Sequence, residues 1–254
     1  MHGEQLRAKL AADQVIVNLS LSLYSPSLVE ILGYSDVDTI FLDAEHGPFN
    51  EAQCEDLVRT ADLAGKPVLI RVPKNEDHVI LRYLDIGTTG LIIPHVTTAE
   101  DARRAVQAVK YGPQGHRSFA SPRSASYGLK ESSTDYIARA NRETVVIGLF
   151  EDIQALEHLP QILAVEGLDA LIIGPYDLSF SMGHPAQPGH PEVQRVIDQV
   201  IAACREAGKA TGLPAGDVTT ARQHVERGCR IISLSFAAFL VNATHEFSER
   251  IREI

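Results

Sequence analysis

Thr144-Val-Val-Ile-Gly-Leu-Phe-Glu-Asp152 and Asp169-Ala-Leu-Ile-Ile-Gly-Pro-Tyr-Asp-Leu-Ser179 are two short apolar runs, rich in Val and Ile, with a helix-like segment between them. Bounded by Gly and Pro, the pattern reads as strand, helix, strand. Each run ends in a carboxylate: Glu151 leaves the first, and Asp177 lies just past the second. In a parallel sheet both acids emerge side by side at the same carboxyl edge. Two hard oxygen ligands, with no Cys and no His-x-x-x-His motif beside them, suit Mg²⁺ or Mn²⁺, which fill their other positions with water and substrate oxygens. Carboxylates after strands also cap helices by accepting free backbone N–H groups, so spacing alone leaves both readings open.

The unit recurs on either side. A short entry helix is expected over residues 5–12. Strands follow at about 15–21, 39–43, 68–71 and 90–94, alternating with helices at about 27–32, 51–63, 76–86 and 99–109. Beyond the central pair, strands at 209–213 and 230–234 alternate with helices at 219–227 and 237–250. About eight strand–helix units predict an α/β fold of the closed (β/α)₈ type, and 254 residues match the usual length of one such barrel. A single domain over 1–254 is the expectation.

Composition narrows the partners. A formal net charge of -10 argues against nucleic acid or an anionic membrane, since Lys and Arg clusters would be needed to neutralise phosphates. An anionic substrate must then be drawn in by a local positive group. No apolar run is long enough to span a bilayer, and Met1-His-Gly-Glu-Gln-Leu-Arg7 lacks the apolar core of a secretion signal, so a cytoplasmic location is expected. Cys54, Cys204 and Cys229 are odd in number, far apart and form no Cys-x-x-Cys pair, which reads as reduced thiols packed in or between helices.

In a barrel, chemistry belongs where strands give way to the following helix. The second strand ends in Asp43-Ala-Glu45-His46-Gly-Pro, the third at Arg71, the fifth at Glu151 and the sixth at Gly174-Pro-Tyr-Asp177. A cation, an imidazole and several acids thus share one mouth.

These residues, together with Val68-Leu-Ile-Arg-Val72, Tyr83-Leu-Asp-Ile-Gly87, Tyr111-Gly-Pro-Gln-Gly-His-Arg-Ser118 and Ile173-Gly-Pro-Tyr-Asp-Leu-Ser-Phe-Ser-Met-Gly183, resemble the HpcH/HpaI aldolase family, in order and over nearly the whole chain. The resemblance implies a metal-dependent pyruvate aldolase: reversible cleavage of a 4-hydroxy-2-oxo acid to pyruvate, or a close 2-oxo acid such as hydroxypyruvate, and an aldehyde. It implies a homo-hexamer, a trimer of dimers, with the last helix exchanged between neighbours. Glu151 and Asp177 would hold the divalent cation, Mg²⁺ or Mn²⁺ with Co²⁺ a further candidate. As a Lewis acid the ion would stabilise the enolate. Arg71 would face the keto oxygen. His46 matches the acid–base residue, acting through a water on the cation, Asp85 the acid that orients its imidazole, and Asp43 a further active-site acid. Backbone N–H groups around Gly174 and Pro175, and on through Tyr176 to Asp177, would receive the substrate carboxylate.

The chain departs from the resemblance in having no Trp, with Asn18-Leu-Ser in the first strand, and in showing Leu149 where relatives often carry Gln. A mouth with Leu149, Leu213-Pro-Ala and Ser235-Phe suggests a different acceptor aldehyde. Residues 112–141 exceed the usual barrel connection. The segment starts on the face opposite its own active site, so Arg123 in it is expected to reach a neighbour's mouth and an anionic substrate tail; a tethered surface excursion is the alternative. His95 and His184 read as structural or solvated, His184 with a further option of lining the acceptor pocket. Three rival activities are a lysine Schiff-base aldolase, for which no lysine is well placed, an acyl-CoA lyase like the citrate lyase β-subunit, which would need a basic groove, and a non-catalytic barrel that binds a metal and a 2-oxo acid.

Overall fold

A computed structural model describes residues 2–252. Eight parallel strands close in chain order into a barrel: β1 (Ile16–Leu21), β2 (Thr39–Asp43), β3 (Val68–Arg71), β4 (Gly90–Ile93), β5 (Val145–Phe150), β6 (Ala170–Ile173), β7 (Ala210–Ala215) and β8 (Ile231–Ser235). β1 pairs with β2 on one side and β8 on the other, which closes the ring. The helices are α1 (His2–Ala11), α2 (Pro26–Leu32), α3 (Glu51–Leu63), α4 (Asp77–Asp85), α5 (Ala99–Val109), α6 (Ser133–Glu143), α7 (Leu159–Leu163), α8 (Pro175–Ser181), α9 (Pro191–Glu206), α10 (Val218–Arg227) and α11 (Phe236–Arg252). This is the (β/α)₈ architecture that the recurrence predicts. Among the described residues no helix is long and apolar enough to cross a membrane.

Helix starts follow local chemistry. Asn50 and Gln53 form a reciprocal capping box on α3, and Thr98 and Asp101 form another on α5. The helix-like segment after β5 proves shorter than its sequence suggests: a 3₁₀ turn at Ile153–Leu156 precedes the five-residue α7, which has a proline in its first turn. The long cover of this part of the barrel is instead α9, which the sequence reading does not place. Its buried Val193, Val196, Ile197, Val200, Ile201 and Cys204 nevertheless keep strict helical spacing.

Strand alternation decides which side chains face the barrel axis. Phe41, Leu69, Ile92, Ile147, Leu149 and Ile172 belong to an inner cluster. Their neighbours Leu42, Ile70, Ile93, Val146, Phe150 and Ile173 pack outward under the helices. Continuing the alternation to the strand ends turns Asp43, Arg71, Glu151 and Gly174 inward. It also corrects one expectation: Leu213 does not line the mouth, because it is 2% exposed in the outer layer, and the exposed Pro214 holds the alternate position.

α11 is the exception to the packing. None of its described residues is buried, and Phe239 and Phe247 are 57% and 69% exposed. Beside it runs a groove of about 620 Å³ lined in part by Val17, Ala221, Val225, Ile232 and Leu234.

Close strand approach fixes Gly90. A Cβ there would stand 2.7 Å from the Val145 carbonyl oxygen and 2.8 Å from Val145 Cβ. Gly90→Ala should therefore cost about 1–3 kcal/mol through overpacking, read as a lower urea midpoint with an unchanged m-value.

Candidate active site

β2 and β3 are neighbours in register, with Asp43 directly opposite Arg71. Arg71 Nε donates to Asp43 Oδ1 at 2.9 Å and Nη2 donates to Oδ2 at 2.5 Å, a bidentate pair. Glu45 Oε2 approaches Arg71 Nε at 3.3 Å, so one guanidinium serves two acids. Asp43 Oδ1 also accepts the backbone N–H groups of Glu45 and His46, each at 3.1 Å, which orders the turn carrying the His46 imidazole. Burial is the largest influence on the Asp43 carboxyl and would raise it. The hydrogen bonds and charge of Arg71, with the two backbone donors, outweigh burial and hold Asp43 below the ordinary carboxylate value.

Glu151 follows β5 and is 7% exposed; Gly174 follows β6, and its N–H donates to the Phe150 carbonyl at 2.9 Å. A Cβ on Gly174 would stand 3.2 Å from Glu151 Cβ, 3.7 Å from Glu151 Oε2 and 3.8 Å from Asp177 Oδ2. The missing side chain thus opens a cradle faced by one oxygen of each acid. Burial pushes the Glu151 carboxyl above its ordinary range; the hydrogen bond and charge of His95 pull it back in part, and the charges of Glu45 and Asp177 add lesser pushes upward. Asp43, Glu45 and Glu151 all act on one permanently charged Arg, Asp177 adds a further acid beside Glu151, and the hard oxygens at the Gly174 cradle fit a divalent cation that would relieve this crowding.

His95, passed over in the sequence as structural, sits inside this network. Its φ is 54°, a left-handed conformation that costs a non-glycine residue roughly 1–2 kcal/mol. Its backbone N–H donates to Glu151 Oε1 at 2.8 Å, its Nδ1 lies 3.0 Å from the same oxygen, and its Nε2 lies 3.7 Å from Glu45 Oε1. A His beside Pro after a short apolar strand was the available signal, but the sequence holds nothing that reveals the turn.

Other expected residues fall elsewhere. His46 is exposed at the mouth, but Asp85 is not beside it within the chain. Asp85 ends α4 at the opposite, amino-terminal edge, where Arg117 Nη2 donates to its Oδ1 at 2.9 Å. Arg123 also lies at that edge; it donates to the Ile86 carbonyl at 2.7 Å and pairs with Asp62, so it is not a substrate contact in its own mouth. The anion cradle is narrower than expected: Gly174 has spent its N–H, and Pro175 has none. The first-turn N–H groups of Tyr176 and Asp177 remain without intrahelical partners.

His184, His190 and Glu192 form a second polar group, but the two imidazoles stack at 3.6 Å and 16°, so their in-plane lone pairs run alongside each other instead of converging. His184 Nε2 lies 2.9 Å from Glu192 Oε2, and His190 Nδ1 accepts the Glu192 N–H at 3.3 Å, a self-satisfied cap on α9. The three cysteines are free and buried; burial pushes Cys54 and Cys204 up to about 12.

Residues 17–243 match the HpcH/HpaI aldolase/citrate lyase family. The chain is 35% identical over 251 residues to a hydroxypyruvate/pyruvate aldolase of Cupriavidus necator, covering 97% of this chain and 92% of the relative. It is 37% identical over 229 residues to a 4-hydroxy-2-oxo-heptane-1,7-dioate aldolase of Shigella flexneri, covering 90% and 85%. A crystal structure of an HpcH/HpaI aldolase/citrate lyase family protein from Burkholderia cenocepacia superposes with a TM-score of 0.91 at 33% identity, covering 98% and 99%. Barrel, acid-lined mouth and relatives together define the class, a carbon–carbon lyase. The chain belongs to the HpcH/HpaI aldolase/citrate lyase family.

Asp43→Asn should lower stability at neutral pH by about 1–3 kcal/mol, the range for a charged group deprived of its partner. Because the folded Asp43 carboxyl is held low, its contribution is complete above the unfolded value and is lost as pH falls through the folded one. The gap between wild type and variant, measured by urea unfolding, should therefore close in acid.

Proposed function

We propose that the chain catalyses reversible aldol cleavage of a 4-hydroxy-2-oxo acid to pyruvate or hydroxypyruvate and an aldehyde, with a divalent cation held by Glu151 and Asp177. The observation that carries this reading is the facing pair of carboxylate oxygens at the Gly174 cradle, at the same end of the barrel as the Arg71 and His46 that β2 and β3 deliver. The names of the two aldolase relatives support the reaction type. When bound, Mg²⁺ or Mn²⁺ supplies Lewis acidity at the keto oxygen of a 2-oxo acid.

The chain's own residues divide the remaining work. The bonds from Arg71 to Asp43 use Nε and Nη2, and we assign Nη1 to the keto oxygen, where negative charge grows during cleavage. Tyr176 and Asp177 offer backbone N–H groups to the substrate carboxylate. His46 takes the proton from the C4 hydroxyl as the C3–C4 bond breaks; the aldehyde leaves, the electron pair passes into the three-carbon fragment, and a proton delivered to C3 completes the 2-oxo acid.

Asp85 lies at the edge of the barrel opposite His46 in its own chain, so we propose that it acts at the mouth of a second copy. The same assembly would place an exchanged α11 over an apolar groove like the one described here, within a hexamer. Buried free thiols are in keeping with a cytoplasmic setting.

A Schiff-base route lacks a suitable amine. Lys66 donates to the Ser35 and Val37 carbonyls, and Lys209 to the Leu168 carbonyl, all at the amino-terminal edge. Burial pulls Lys110 down to about 8, yet its Nζ is held by the Asn141 and Thr144 carbonyls at that same edge.

A panel of 4-hydroxy-2-oxo acids assayed for pyruvate release, with and without chelator, tests the reading. Glu151→Gln and Asp177→Asn should abolish turnover and metal uptake together. Arg71→Ala should abolish turnover with metal retained, and His46→Ala should slow it roughly 10²–10⁴-fold. Borohydride trapping of a pyruvate adduct on the protein would overturn the metal route.

A further inference from the structure

We propose that His95 is a positioning residue for the cation site: its left-handed turn occupies Oε1 of Glu151 and thereby presents Oε2 toward Asp177 as the ligand oxygen. The inference rests on the assignment of Glu151 and Asp177 to a cation.

A glutamate carboxylate rotates freely about its last torsion, so its two oxygens are interchangeable unless something distinguishes them. Here the distinction is complete. Oε1 accepts the His95 N–H at 2.8 Å and has the imidazole Nδ1 at 3.0 Å, whereas Oε2 is the oxygen that faces the Gly174 cradle, across from Asp177 Oδ2. A ligand already turned toward the ion does not have to be ordered when the ion arrives.

The turn that makes this possible has no packing reason of its own. The His95 side chain is 71% exposed, so nothing in the core holds it at φ 54°. Pro94 on one side and the buried Val96 on the other fix where the turn begins and ends. Between them, the left-handed conformation aims the N–H at Glu151 across the β4–β5 junction. The ring also spaces the acids. Its Nε2 stands 3.7 Å from Glu45 Oε1, while the other oxygen of Glu45 approaches Arg71, so His95 joins the carboxylate that would ligate the ion to the half of the site that holds the guanidinium.

Three substitutions separate the turn from the ring. His95→Val disfavours positive φ and removes the ring nitrogen; His95→Gly keeps the turn and its N–H but removes the ring; His95→Asn tolerates the left-handed region and restores a side-chain donor. Each purified variant is titrated with Mn²⁺, free ion is followed by electron paramagnetic resonance, and thermal melting verifies folding. Val should weaken Mn²⁺ binding about 10–100-fold, the range for groups that orient metal ligands. Gly should fall between Val and wild type, and Asn should lie closer to wild type than Gly does. If Val and Gly bind Mn²⁺ as tightly as wild type while Glu151→Gln does not bind it, the cation site stands and the role of His95 is overturned. If wild type takes up no Mn²⁺, both fall together.

Discussion

A side chain on a barrel strand has two directions available, and closure of the sheet buries one of them inside the ring. That constraint governs everything at the mouth. Because Phe41, Leu69, Leu149 and Ile172 fill the interior, the residues two positions further along each strand, Asp43, Arg71, Glu151 and Gly174, must also turn inward, at the last level before solvent. A slip of one residue in any of these strands would send its polar group under the helices, where a charge without a partner is costly. The apolar layer below therefore sets the register of the chemical layer above it.

Within that layer the charges are unevenly matched. Asp43 is neutralised by Arg71 well enough to stay ionised below the ordinary carboxylate range, and Glu45 takes what remains of the same guanidinium. On the other side, Glu151 is buried near further acids, with His95 the group directly against it, and its carboxyl is pushed up. One half of the mouth is thus electrostatically complete and the other is deficient in positive charge. The deficient half is also the one with open space, where Gly174 withholds a side chain. The coincidence of missing charge and missing volume favours a cation there over a simple pair of helix caps: neither carboxylate accepts a cap bond from its own following helix, as Asp217 does for α10.

The sequence made the barrel legible because strand and helix signals recur with regular spacing, and α3 and α5 begin at their capping boxes and end with their apolar patterns. It made the strand-end acids and Arg71 legible for the same reason. Direction was harder. Leu213 and Pro214 are adjacent, and only the observed alternation shows that the leucine goes outward. The role of His95 was hidden because it depends on one backbone torsion, and no residue type announces that a histidine will adopt positive φ. Asp85 illustrates a different limit. Its likeness to an orienting acid came from the order of motifs, which carries no information about which edge of which barrel the residue occupies.

The features left over after the mouth is accounted for lie at the amino-terminal edge and on α11. Arg117 is almost wholly buried and holds Asp85 through one of its oxygens. Arg123 is tied to Ile86 and Asp62, which pins the long segment against α3 and α4. α11 carries a row of exposed apolar side chains beside an apolar groove. The two arginines are paired where they lie, whereas the apolar face of α11 is exposed, and hydrophobic area of that kind is ordinarily covered in a folded assembly. The two acids at the Gly174 cradle follow the neighbouring strands β5 and β6, and Arg71 ends β3 with β4 between, so one barrel supplies all three groups. On the proposed reading, in which Asp85 orients the imidazole of a second copy, proton transfer is the step on which assembly would bear.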